Sequence, residues 1–142
     1  MPRAIGREMA VKTLYAKACG GEGTPRELWM MTAAEDQKVD RREFRQAAKL
    51  VEAVEAKQAQ LDEDIQAHLK NWSVSRLDLL DWCVLRVAAY ELRYSDVPHA
   101  VSIKEALAFA DEYGGEKSPG FINGVLGALS RALEAAEPQL EA

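Results

Sequence analysis

The sequence predicts an all-α fold, and three observations carry that prediction. No run of alternating β-branched residues, the two-residue period of a strand, appears anywhere. Alanine, leucine, glutamate and lysine dominate, with glycine and proline placed between the periodic stretches. The third observation is the stretch Ser75 to Ser95, SRLDLLDWCVLRVAAYELRYS. Leu77, Leu80, Val84, Val87 and Ala88 follow the spacing of one helix face, while Leu79, Trp82, Cys83, Leu85, Tyr90 and Leu92 fill the flanks. A helix apolar on nearly every side is a buried one, so this stretch is expected to be the central helix. It is no membrane span, because Arg76, Asp78, Asp81, Arg86, Glu91 and Arg93 interrupt it.

Each remaining element follows from its punctuation. The first helix is expected from Pro2 or Arg3, with Val11, Leu14, Tyr15 and Ala18 inward and Gly20 and Gly21 as its stop. Thr24 and Pro25 open a short helix through Leu28, Trp29 and Met31. Asp40 caps the next, whose Phe44, Ala47, Ala48, Val51 and Val54 keep helical phase. The period continues through Leu61, Ile65 and Leu69, with a break expected near Leu61 and Asp62. Ser75 and Asp78 make a variant capping box for the central helix, and Ser95, Asp96 and Pro98 end it. Ser102 and Glu105 form a capping box for a helix closed by Gly114 and Gly115. Ser118 and Pro119 open the last helix, with Ile122, Val125, Leu126, Leu129 and Leu133 as its apolar stripe. Gly120, Gly124 and Gly127 weaken that helix, an effect offset if the central helix approaches closely there. Leu80 is assigned to the core, where truncation to alanine costs roughly 2–5 kcal/mol.

A chain of 142 residues suits one domain with its own core and no disulfide staple. Cys19 and Cys83 have no ligand spacing and read as reduced thiols of a cytoplasmic protein. The first residues carry no export signal. The net charge of −5 argues against bulk electrostatic capture of nucleic acid, yet residues 1–19 carry a local +3 that leaves the rest at −8. Arg3 and Arg7 lie one turn apart and project from one side of the helix start. Arg41, Arg42, Arg45 and Lys49 are exposed on their helix, where a mixed solvated face with Glu43 and Glu52 is preferred to an RNA-facing patch. Arg86, amid apolar neighbours, requires a carboxylate, and Glu105 is the suggested partner.

No catalytic constellation emerges. His68 and His99 are lone imidazoles without metal-ligand spacing, and the serines sit at caps. Gly20, Gly21 and Gly23 lack the lysine and hydroxyl of a phosphate loop. Asp62 and Asp64 read as helix-start carboxylates rather than an acid and base pair. No catalytic residue, metal or cofactor is therefore assigned, and the chain is read as a non-enzyme.

The run VLRVAAYELRYSDVPHAVSIKEALAFADEYGGEKSPGFINGVL closely resembles the C-terminal half of the NusB family of transcription antitermination factors. The stretches from Arg7 to Tyr15 and from Leu61 to Ser73 match as well, leaving only the segment between Cys19 and Asp40 outside. The resemblance implies a single domain over residues 1–142 with about seven helices in two packed bundles, residues 1–70 and 71–142. It implies binding of the single-stranded boxA RNA of nascent transcripts, chiefly ribosomal, together with the small-subunit ribosomal protein NusE. That complex would help RNA polymerase, with NusA and NusG, resist premature termination. Relatives can pair with themselves, which leaves a homodimer open, and no membrane is implied.

Carried over residue by residue, the RNA-binding set is Arg3, Arg7, His68, Lys70, Lys117, Ser118 and Phe121. Ala4 and Gly6 stand where relatives often have arginine and alanine, and this lowers the expected affinity. For Phe121 a core position is as good a reading as base stacking. The NusE-facing set is Tyr15, Asp81 and Glu91, carboxylates that would complement a basic partner. Charge reversal at Arg3 and Arg7 is expected to abolish RNA binding without unfolding. The rivals are a NusB-like interaction or self-association module with reduced RNA binding, and the RNA-binding domain of a ribosomal RNA methyltransferase. The latter would need a following cofactor domain, and this chain ends at Ala142.

Overall fold

The computed structural model describes residues 4–21, 41–69 and 78–136. Among them are six helices and no strand: α1 (Ala4–Ala18), α2 (Arg41–Ala56), α3 (Gln58–Gln66), α4 (Leu79–Tyr94), α5 (His99–Tyr113) and α6 (Ser118–Ala136). The all-α prediction holds. The short helix expected after Thr24 lies outside the described residues. The capping box expected from Ser75 and Asp78 is not formed: Asp78 is extended, with φ −63° and ψ 134°, so the helix expected from Ser75 begins at Leu79 with Asp78 at its N-cap.

Helix α4 is the centre of the packing and touches α1, α2, α3, α5 and α6. Trp82, Cys83, Val84, Leu85, Val87, Ala88, Ala89 and Leu92 are all buried, which is the burial on every side that its sequence predicts. They join one cluster with Val11 and Leu14 of α1, Val51 and Val54 of α2, Leu61 and Ile65 of α3, Phe109 of α5, and the Ile122, Val125, Leu126, Leu129 stripe of α6. Leu80, assigned to the core from sequence, is only partly buried at its edge, because it sits in the first turn of α4.

Several boundaries differ from the sequence reading. The break between α2 and α3 falls at Lys57, four residues before Leu61, and leaves Leu61 fully buried within α3. Helix α5 begins at His99, not at Ser102: the Pro98 carbonyl accepts from the amides of Val101 and Ser102, so the chain is already helical at the expected cap. Ser102 is thus an interior residue, 1% exposed. The stop of α1 is as expected. Gly20 adopts φ +93°, its amide donates to the Lys17 carbonyl, and the Gly21 amide donates to the Ala16 carbonyl. These are the two bonds of a Schellman end, and the left-handed residue between them favours glycine. Tyr15 and Ala18, expected inward, are exposed; Met9, Ala10, Val11, Thr13 and Leu14 form the buried face instead.

The glycines of α6 do not mediate close approach. A Cβ at Gly120 or Gly124 would meet nothing within 4 Å, and one at Gly127 would meet only Arg131 of the same helix. Helices α1 and α2 lie side by side and run in the same direction, since Gly6 faces Gln46 at one end and Lys17 pairs with Glu55 at 2.7 Å at the other.

Candidate nucleic-acid and protein interface

The charges that interrupt α4 join it to its neighbours. Arg86 donates to both carboxylate oxygens of Asp62 on α3, at 2.8 and 3.1 Å, and lies 5.1 Å from the Trp82 ring centre. The expected pairing exists, with Asp62 rather than Glu105 as the partner. Arg93 makes a second two-pronged contact, to Asp64, at 2.6 and 2.7 Å. Asp62 and Asp64 lie inside α3, so their charges answer these arginines and not the start of a helix. Parallel N–H donors of a guanidinium match a carboxylate, so both contacts also fix the orientation of α3 on α4.

Arg7 departs most from expectation. Expected on an exposed side of α1, it is 6% exposed, and its Nε donates to both oxygens of Glu91, at 2.8 and 2.9 Å, across the α1 to α4 interface. Glu91, assigned to the protein-partner surface, is 2% exposed. Each therefore neutralises the other inside the molecule. Helix α1 turns Arg7 inward because it shares a face with Val11 and Leu14, one and two turns further on.

Ser118 and Asp81, assigned to different functions, meet each other. The Ser118 hydroxyl accepts from the Gly115 amide at 3.1 Å and donates to Asp81 Oδ2 at 3.1 Å, tying the turn before α6 to the start of α4. Burial raises the Asp81 carboxyl above its ordinary range, Ser118 pulls it back, and the negative charge of Asp78 adds to the rise. Phe121 is buried in the core one turn before Val125. His68 is half-buried at the end of α3, Lys117 is exposed, and Tyr15 is 38% exposed. Arg3 and Lys70 lie outside the described residues. Of the predicted set, Lys117 and Tyr15 are thus exposed, His68 partly so, and Arg7, Ser118, Phe121, Asp81 and Glu91 are internal.

The densest run of exposed positive charge among the described residues lies on α2. Arg41, Arg42, Arg45 and Lys49 are all exposed on α2, and positions 41, 45 and 49 form one stripe at i, i+4, i+8. Their negative neighbour Glu43 is buried, which leaves Glu52 beyond the stripe as the nearest exposed carboxylate on α2. Gln46 of this helix faces Gly6, so the stripe borders the first turns of α1. The spacing of these arginines was visible in the sequence; the burial of Glu43, which unbalances the face, was not.

His99 also has a structural role that spacing did not reveal. Its Nε2 is bonded to the Leu92 carbonyl at 3.1 Å and its Nδ1 to the Ser130 hydroxyl at 2.7 Å, linking α4, α5 and α6. Burial pushes the Cys83 thiol up to about 11, which makes it inert at neutral pH, whereas Cys19 is exposed. Among the described residues no group of three or more His, Cys, Asp and Glu side chains is arranged to hold a metal ion. Nor is any described helix long and apolar enough to cross a membrane.

The model of the NusB family matches residues 5–131. The chain belongs to the NusB family. A relative, the transcription antitermination protein NusB of Clostridium botulinum (strain Kyoto / Type A2), is 35% identical over 142 residues, covering 91% of this chain and 99% of the relative. The T. maritima NusB structure is similar with a TM-score of 0.77 at 28% identity, covering 92% of each chain. A crystal structure of the antitermination factors NusB and NusE in complex with dsRNA matches with a TM-score of 0.74 at 26% identity, covering 92% of this chain and 96% of that one.

Proposed function

We propose that this chain is a transcription antitermination factor that binds boxA RNA of nascent, chiefly ribosomal, transcripts together with NusE. In this reading it acts without catalysis, as an adaptor that helps RNA polymerase, with NusA and NusG, pass premature stops in the cytoplasm. The observation that carries the reading is the family match over residues 5–131, supported by a solved relative in complex with NusE and dsRNA. The physical contribution of this chain is a local field. An acidic protein repels RNA at long range, but a stripe of exposed cations on α2 beside the start of α1 attracts phosphate within about a Debye length, ~8 Å in the cell.

The RNA face is accordingly proposed as Arg3 and the α2 stripe, with Lys117, Lys70 and His68 as flanking contacts. Arg7 holds α1 in place through Glu91 rather than meeting phosphate. For NusE, Tyr15 is the exposed member of the proposed surface. Asp81 and Glu91 act on that surface through the position of α4, which their bonds to Ser118 and Arg7 fix.

Fluorescence anisotropy with boxA RNA and a scrambled RNA, with and without NusE, tests the proposal. The expected result is preferential binding of boxA in the presence of NusE, lost when Arg41, Arg42, Arg45 and Lys49 are replaced by glutamate. Equal binding of both RNAs removes antitermination from the reading. Loss of the preference on replacing Arg3 alone confines the RNA face to the N-terminus. A second reading, a self-association module with reduced RNA binding, is favoured by the internal capture of Arg7. Sedimentation at micromolar concentration separates the two, because a dimer with no boxA preference supports the second.

A further inference from the structure

A cavity of about 180 Å³ lies between α1, α4 and α5, away from the exposed α2 stripe. Val11, Val84, Val87 and Phe109 supply apolar walls. Glu8, Glu91, Glu105 and Glu112 border it, against Arg7 as its only lining cation. Two of these carboxylates are already engaged, Glu91 by Arg7 at 2.8 Å and Glu8 by Lys12 at 3.3 Å. Glu105, half-buried, and Glu112, exposed, pair with no cation among the described residues, so the solvent side of the cavity is negative. A second, independent feature is Ser102. It lines the same cavity at 1% exposure, and its Oγ has no hydrogen-bond partner among the described residues. Buried polar groups are nearly always bonded, so an orphan hydroxyl on a cavity wall marks a place for a polar ligand atom.

Size and charge together narrow the occupant. An apolar cavity of about 150 Å³ holds one benzene molecule, so this one admits roughly six or seven heavy atoms. Apolar walls accept a short alkyl chain, the unpaired carboxylates select a positive head, and a donor is needed for the free lone pairs of Ser102. We propose that the cavity binds a primary alkylammonium of four to six carbons, its head held between Ser102 and Glu105, one turn apart on α5, with Glu112 two turns further on adding to the negative field at the mouth. The site is separate from the RNA reading and stands whether or not that reading does. Such a group occurs on free amines and on the lysine side chains of proteins, and both sources present the same head and chain.

The test is a titration followed by backbone amide NMR shifts, with pentylammonium, 1-pentanol and pentanoate as probes of equal length. Pentylammonium is expected to bind about fivefold more tightly than pentanol, the worth of partly exposed ion pairs, and to shift amides near Val84, Ser102 and Phe109. Pentanoate is expected not to bind. The double variant Glu105→Gln/Glu112→Gln, confined to partly or fully exposed side chains, should reduce the preference for the amine towards onefold while pentanol binding is unchanged. Ala106→Phe should block all probes; if it fails to fold, the double variant decides alone. Binding of Nα-acetyl-lysine methylamide as tightly as pentylammonium supports the site with a protein lysine as its source. Binding of pentylammonium alone supports a free amine. Equal binding of the alcohol and the amine, shifts elsewhere in the molecule, or no binding overturns the proposal.

Discussion

Arg7 and Glu91 come from the first and the fourth described helix, and their pair is buried on both sides. Removing one member strands a charge where water cannot solvate it, at a cost of about 3–5 kcal/mol. Arg7→Met is expected to lose that amount in urea unfolding, while Arg7→Met with Glu91→Leu recovers most of it. A loss below about 1 kcal/mol for the single variant would show that the pair is not desolvated. The same argument revises the expectation that reversing Arg7 leaves the fold intact, since glutamate there would face Glu91. Asp81 is the opposite case, a buried acid whose partner is neutral. Its pKa is raised on folding, so the folded chain binds its proton to higher pH than the unfolded chain does. Stability from this group is therefore complete below the ordinary value of 3.8 and declines as pH rises from there through the raised value. Asp81→Asn should match the native chain near pH 3 and gain on it toward neutrality, measured as the difference between their stability and pH curves. A constant difference would mean that Asp81 titrates as it does unfolded.

At the scale of the element, α4 carries the core, and its residues differ in what they contribute. Leu85 is fully buried in the middle of the helix, whereas Leu80 sits at the partly buried start. The cavity cost of roughly 2–5 kcal/mol therefore belongs to Leu85→Ala, and Leu80→Ala should cost clearly less. The reverse order in denaturant unfolding would place the core at the other end of α4. Helix α6 shows what an unused opportunity for stability looks like. Gly124 is exposed, helical and touches nothing at its Cβ position, so Gly124→Ala should raise stability by up to about 1 kcal/mol. A loss on that substitution, read by thermal unfolding, would reveal a neighbour at the bare backbone.

For the whole molecule, a net charge of −5 and a basic stripe on α2 make opposite contributions to RNA affinity, and salt distinguishes them. Binding through the stripe should weaken as salt rises, with the logarithmic slope shallower by roughly 0.7 for each phosphate contact removed by Arg41→Ala, Arg45→Ala or Lys49→Ala. An unchanged slope in the triple variant places the RNA on another face. The two acid and arginine contacts fix α3 on α4, while α2, which carries the stripe, packs against α1 and α4.

The sequence by itself determined the helical class, the central role of the 75–95 stretch and the helix boundaries at Gly20, Ser95, Gly114 and Ser118, because these follow from local spacing and from turn residues. It determined too that Arg86 is paired, since an apolar setting forbids a lone charge. Partner identity was decided only in three dimensions: Asp62 rather than Glu105 for Arg86, Glu91 for Arg7, Asp81 for Ser118. Each of these pairs spans more than twenty residues of sequence. The exposure of a charge depends on which face of its helix the neighbouring helices cover, and no spacing rule within one helix contains that information.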